Sequence, residues 1–333
     1  SICMTAPGGL LSDIETWVRR IVKTPSDQVL TAQQIQEYIN RFWIYDVPAR
    51  LQLFELKRQY TFESIPNIFI YQFPYNDYQG VSPPVYADGV QMGFFQSTDQ
   101  FYNVYPEMVL NGTIGQGDGT VGPFTTTFDR VPVLRGFRDD LGNLLPYVYF
   151  TSRDIVGNFV YVVDDGNGVL NQTDATFQTN ILPNAGTINY ETGEASFFTV
   201  TPLEKGYPIH AQTSPYSAGF PRVMLFFNNT IKLYPVPDRA YKIQMDAYIT
   251  PAQFLNSASA IPFSYMSEYI ARGAARKILS DQADYEMFEF YEKLFREQEC
   301  QVLRRTDRQL ARSRVPTIFS GTNGPSPYVY TQY

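Results

Sequence analysis

The spacing of apolar residues changes period twice along this chain, and that constrains its fold more than any other feature. Residues 1–58 place apolar side chains at helical intervals, residues 59–260 place them in short aromatic and β-branched runs, and helical spacing returns near Ser264. A period of 3.6 cannot settle as a strand, nor a period of 2 as a helix. The pattern therefore predicts helices at both ends and strands between.

At the N-terminal end, Ser12-Asp13-Ile14-Glu15 has the form of a capping box, with Ile14, Trp17, Val18 and Ile21 following on one helical face. A second box, Thr31 to Gln34, precedes Ile35, Tyr38, Ile39 and Phe42. Pro48 suits the first turn of a third short helix running to about Leu56. Beyond Ser264, the stripe Met266, Ile270, Gly273, Ala274 and Ile278 carries small residues that admit a close neighbour. Phe288, Tyr291, Phe295 and Val302 form another stripe after Asp284.

In the centre, Asn67–Phe73, Phe159–Val163, Ala195–Val200 and Tyr241–Ile249 are strand-like runs bounded by turn residues. Val223–Phe227 and Thr230–Tyr234 flank Asn228-Asn229, a pair that tolerates positive φ, and so predict a hairpin. The glycine-rich stretches at 115–119 and 164–168 read as loops between strands. The fold class expected is α+β: a helical bundle formed by the N- and C-terminal segments, an inserted antiparallel β-sandwich or barrel-like domain, and an extended C-terminal tail. The boundaries are 1–58 and 261–314 for the two helical parts, 59–260 for the β insert, and 315–333 for the tail.

Composition excludes several functions. Across 333 residues, 26 Lys plus Arg against 33 Asp plus Glu give a net charge of −7, which rules out a generally basic nucleic-acid binder. The acidity is local: residues 1–58 hold seven basic and six acidic groups, 261–333 hold ten and nine, and 59–260 hold nine and eighteen. One histidine, His210, and two cysteines, Cys3 and Cys300, build neither a Cys/His zinc site nor a disulfide framework, which favours a reducing compartment. No run approaches the ~18 apolar residues that span a bilayer, so no membrane span is expected. The opening SICMTAPGG shows no secretory signal pattern.

Catalytic constellations are equally sparse. No G-x-S-x-G elbow surrounds a serine, and His210 lies in YPIHAQ, where alternation suggests a structural strand position. A P-loop is missing, and the glycines at 115–119 lack its lysine. Asp118 and Asp164-Asp165 supply hard oxygen ligands, but neither continues into an EF-hand loop, and solvated turns explain them more simply. Among 33 acids nothing selects a glycosidase pair. No enzyme, cofactor or metal is expected.

Two features carry more information. Residues 281–299 hold seven acids and two bases, among them Asp284, Glu286, Glu289 and Glu292, while 302–314 hold Arg304, Arg305, Arg308, Arg312 and Arg314 with one acid, Asp307. Three readings stay open: a solvated helix end favoured by the macrodipole, an edge facing an acidic neighbour subunit, or a contact with DNA phosphates. The tail VPTIFSGTNGPSPYVYTQY has no charge and three prolines. Ile318, Phe319, Tyr328, Tyr330 and Tyr333 suit it to docking on a partner, the other reading being a disordered terminus.

The stretch EYIARGAARKILSDQADYEMFEFYEKLFREQECQVLRRTDRQLARSRVPTIF resembles the closing helices of tailed-bacteriophage head-to-tail adaptor (neck, or connector) proteins. MLFFNNTIKLYPVPDRAYKIQMDAYITP is similar to the strand pair before those helices, and LTAQQIQEYINRFWIYDVPARLQLFELKRQYTF to the family's opening helices. GTINYETGEASFFTVTP resembles a small β module of virion proteins. Together these cover roughly half of the chain in matching order.

The resemblance implies a structural virion protein. It would form a homo-oligomeric, commonly dodecameric, ring joining the portal to downstream tail, nozzle or fibre proteins, and would line the channel that DNA passes in transient, non-specific contact. It would reside in the neck or tail of the virion, assembled in the host cytoplasm. The five arginines would contact the portal or a neighbour subunit, Asp284, Glu286, Glu289 and Glu292 would form an acidic inter-subunit face, and Ile318 to Tyr333 would be a docking arm on the portal. A second class is also open: a virion-attached glycan-binding or glycan-degrading β protein using the Tyr-rich centre.

Overall fold

Apolar residues at helical spacing produce α1 (Leu11–Val22), which buries Leu11, Ile14, Val18 and Val22. The helix begins two residues earlier than the Ser12 box predicts: Leu10 is the N-cap, and its backbone N–H donates to the Asp13 carboxylate at 3.4 Å, so Asp13 closes the N-terminus. The Thr31 box forms as expected. Thr31 Oγ1 accepts from the Gln34 N–H at 3.2 Å while Gln34 Oε1 accepts from the Thr31 N–H at 2.9 Å, opening α2 (Ala32–Arg41). This helix runs on through a π turn (Phe42–Asp46) into α3 (Val47–Arg50), where Pro48 lies in the first turn. The computed structural model describes residues 9–24, 28–51, 56–251 and 264–310, with side chains described as far as 307.

The chain divides into two compact units. One comprises residues 1–58, 76–80 and 247–333, and the other Gln59–Tyr75 and Val81–Asp246.

In the first unit a 3-10 turn (Ser264–Met266) leads into α5 (Ser267–Asp281), followed by α6 (Tyr285–Leu310). α5 touches α1, α2, the π turn and α6, and buries nine of its residues. Gly273 cannot carry a side chain without moving its neighbour: a Cβ there would lie 2.2 Å from the Phe42 ring. Phe42, Tyr269 and Phe295 stack around that contact, with ring centroids 5.3 to 5.9 Å apart. Ion pairs bind the periphery. Arg50 meets Glu299 at 3.0 Å, Lys277 meets Asp46 at 2.7 Å, and Arg276 meets Glu292.

The second unit holds most of a seven-stranded sheet and all of an eight-stranded one. Along the first, in spatial order, run β1 (Lys57–Glu63), β19 (Lys242–Ile249), β3 (Tyr78–Ala87), β4 (Val90–Phe95), β16 (Val223–Phe227), β17 (Thr230–Tyr234) and β2 (Ile70–Gln72). β1 and β2 are its two edges, yet Tyr60 meets Phe73 and Phe62 meets Tyr71 at 5.4 and 5.0 Å, so the sheet curls almost to closure. Asn228 and Asn229 take φ of 50° and 54°, the left-handed values that the two-residue hairpin between β16 and β17 requires.

The eight-stranded sheet runs β5 (Leu110–Gln116), β14 (Pro208–Thr213), β9 (Tyr149–Arg153), β10 (Phe159–Asp164), β11 (Val169–Thr173), β12 (Asn180–Ile188), β13 (Glu194–Phe197) and β6 (Phe124–Thr127). Phe150 of β9 and Phe197 of β13 stand four strands apart in this order but 4.7 Å apart in space, so this sheet too wraps its own core. Two ribbons complete the unit, β7 (Phe137–Arg138) with β8 (Leu144–Leu145), and β15 (Ala218–Gly219) with β18 (Val236–Pro237). One short helix, α4 (Thr98–Val104), is capped by Ser97, whose Oγ accepts the Gln100 N–H.

At the end of β10 the buried Asp164 carboxylate accepts the N–H groups of Gly136, Tyr147 and Val148 at 2.5, 3.0 and 2.8 Å and the Tyr190 O–H at 3.0 Å. Burial pushes this carboxyl above its usual range and the four donors oppose that shift. Every partner is a donor, so the pocket fits the carboxylate.

These observations correct the expected fold class. The chain is mostly β, with nineteen strands against six α-helices among the described residues. In place of one inserted antiparallel sandwich or barrel-like domain there are two curled, barrel-like sheets, and β4 pairs with β16 in parallel. Nor do the helices make the bundle expected: α3 is a single turn, α2 ends in a π turn, and α5 is a hub that α1, α2 and α6 pack against. Alternation along a strand reveals which face is buried, not which strands pair. The predicted extended tail lies outside the described residues.

Candidate functional site

α6 carries the charge inversion on one continuous 26-residue helix. Asp284 precedes it, and its Oδ1 accepts the Met287 N–H at 3.2 Å. Glu286 and Glu289 are exposed one turn further on. Glu292 is differently placed: half-buried, it pairs with Arg276 of α5 and with Arg296 at 2.9 Å. At the other end Arg304 is exposed, and the exposed Arg305 lays its guanidinium 3.9 Å from the centre of the Tyr265 ring. The side chain of Arg308, together with Arg312, Arg314, Ile318, Phe319, Tyr328, Tyr330 and Tyr333, lies outside the described residues.

At about 1.5 Å per residue, Glu286 and Arg304 stand on the order of 27 Å apart on one rod. The structure thus holds Glu286 and Glu289 apart from Arg304 and Arg305, while Glu292, expected on the acidic inter-subunit face, is paired within the molecule. Tyr285 and Phe290 are uncovered beside the acids, 70% and 64% exposed, an unusual setting for rings of that size.

Of the aspartates singled out as possible cation ligands, Asp118 and Asp165 cap their own turns, whereas Asp164 is not in a solvated turn but buried among its four donors. Asp118 accepts the N–H and the O–H of Thr120, and Asp165 accepts the N–H groups of Asn167 and Val169. The Thr120 hydroxyl and N–H hold the Asp118 carboxyl below its usual range. Among the described residues no group of three or more His, Cys, Asp or Glu gathers as metal ligands do. His210 faces outward on β14 between the buried Ile209 and Ala211, its Nδ1 3.3 Å from the Thr113 hydroxyl.

One site was missed by sequence reasoning. In the second unit a cavity of about 570 Å³ is walled by Tyr105, Tyr216, Tyr234, Phe69 and Phe101, among others. At its side sits Lys232, only 6% exposed although lysine is almost never buried. Its ammonium donates to Glu107 and, at 2.9 Å, to the Tyr102 hydroxyl, and lies over the rings of Tyr102 and Phe69. Glu107 Oε1 also accepts the Tyr147 O–H at 3.0 Å. Burial, then the Glu107 charge, push the Tyr147 phenol far above its usual range, so it stays a donor. The sequence carries little signal for it: in TIKLY, Lys232 shares its strand face with Thr230 and Tyr234, while Ile231 and Leu233 point to the other face.

No protein-family model matches the chain, and no curated protein matches it. Among the described residues no helix is long and apolar enough to cross a membrane.

Proposed function

We propose that the protein is a structural, non-enzymatic virion component, a head-to-tail adaptor that assembles as a ring, commonly dodecameric, between the portal and downstream tail proteins. The observation that carries this reading is α6, with its exposed acids and uncovered rings near one end and its exposed arginines near the other. Opposite charges that cannot meet within one molecule are suited to meeting between copies. A head-to-tail contact of that kind is heterologous and closes into a ring when its rotation permits. Glu286 and Glu289 are its acidic side and Arg304 and Arg305 its basic side. The uncharged segment 315–333 is the arm on the portal, and the DNA channel runs through the ring.

Light scattering of the purified full chain tests this. Wild type should show a closed oligomer, and the double variant Arg304→Glu, Arg305→Glu should shift it to monomers that keep the wild-type far-UV circular dichroism, with melting lowered by loss of the Arg305–Tyr265 contact and of the assembled state. A wild-type monomer, or a ring indifferent to the reversal, sinks the proposed contact. Removal of residues 315–333 should abolish capture by the portal while leaving the ring intact.

A further inference from the structure

From the cavity beside Lys232 we infer a binding site for a neutral glycan of one or two pyranose rings, a function separate from ring assembly. The volume, about 570 Å³, lies within the ~300–1,000 Å³ of small-ligand sites. Its walls combine two chemistries. Tyr105 and Tyr234 stand 5.0 Å apart by centroid, and Tyr234 is 39% exposed, so flat rings are open to a ligand. Such rings take the C–H face of a sugar through dispersion and their quadrupole.

The polar groups decide between ligand classes. Glu107 and Asp129 balance Lys232 and Arg130 around the cavity, so the site offers no net charge to a phosphate, a nucleic acid or an acidic sugar. A purely apolar ligand would leave those same groups facing hydrocarbon, at a cost in lost hydration. A polyhydroxylated neutral molecule satisfies both conditions, because its hydroxyls donate to carboxylates and accept from cations while its ring faces lie on tyrosine. The site is also built rather than incidental. Lys232 is held by Glu107 and Tyr102, and Glu107 Oε1 is in turn held by the Tyr147 hydroxyl.

The other occupant that an aromatic and proline-lined cavity suits is a polyproline-II peptide, which would use the rings without needing the charges. The test uses the full chain against an immobilised panel of neutral hexose and N-acetylhexosamine oligosaccharides of two to five units, with a proline-rich decapeptide as the competing probe. Wild type should retain at least one glycan at millimolar concentration. Tyr234→Ala and Glu107→Gln should each weaken that binding at least tenfold, Tyr234→Phe should keep it, and His210→Ala, outside the cavity, should leave it unchanged. Thermal melting identifies any variant that fails to fold, and saturation-transfer NMR on the wild type then reports whether sugar protons contact tyrosine rings. Absence of any retained glycan, binding that ignores both substitutions, or retention of the peptide alone overturns the assignment.

Discussion

The two units differ in where they place buried polarity. The helical unit pairs charge with charge: Arg50 with Glu299, Lys277 with Asp46, Arg276 with Glu292, all near the margins of its core. The β unit also keeps one buried ion pair, Lys232 with Glu107, but it surrounds the fully buried carboxylate of Asp164 with neutral donors alone. Ion pairs at a margin are reached by salt and each contributes little, about 1 kcal/mol or less. A buried carboxylate with four donors is all or nothing, because removing it orphans every partner. The difference lies between stability spread over many weak contacts and stability concentrated at one point.

The sharpest way to break that comparison is Asp164→Ala. Three N–H groups and a phenol would lose their acceptor inside the protein, and we expect a loss of about 3–5 kcal/mol. Hydrogen exchange should show it as lost protection within 81–246 while α5 and α6 keep theirs. A loss below about 1 kcal/mol in chemical denaturation would mean that water replaces the carboxylate, and the contrast would fall. Next is Gly273→Ala, whose Cβ meets the Phe42 ring; overpacking of that kind costs about 1–3 kcal/mol and should be confined to the helical unit. Protection lost in the β unit instead would show that the two do not respond separately.

Acid gives the smallest effect. Burial pushes the Glu299 carboxyl up, but the hydrogen bond and charge of Arg50, helped by Tyr269, more than reverse this and hold it below its ordinary 4.5. A carboxyl lowered on folding contributes stability that is complete above its unfolded value and is lost as pH falls through the folded one. Melting of the helical unit should therefore begin to drop below about pH 4.5, and Glu299→Gln should flatten that slope. An unchanged slope would remove Glu299 from the account.

Local signals were legible and non-local ones were not. The Thr31 box, the Asn228-Asn229 turn and the α5 stripe depend on neighbours within about four residues, and each takes the form its spacing predicts. The Ser12 box misleads because Asp13, one residue on, caps the chain better. Strand order is set by partners far away, as in β4 with β16, so the single antiparallel sandwich or barrel-like insert expected became two curled sheets with one parallel pair. The two halves of α6 were visible as runs of charge, but that Glu292 is already engaged by Arg276 depends on α5 lying beside it. Lys232 was overlooked because a hairpin reading weighs turn residues and apolar alternation, and neither asks what a buried ammonium will meet.

The hub position of α5 also has a consequence in time. α1 and α2 each bury an apolar face against it, yet α2 ends at Arg41 and α5 starts only at Ser267. During synthesis at roughly 5–20 residues per second, the first two helices wait on the order of 10–45 s for their partner to leave the ribosome. Throughout that interval Ile14, Val18, Ile35 and Ile39 are without the surface they finally cover, whereas every strand of the β unit has already been made. A nascent chain of this design is most vulnerable to aggregation at its oldest end.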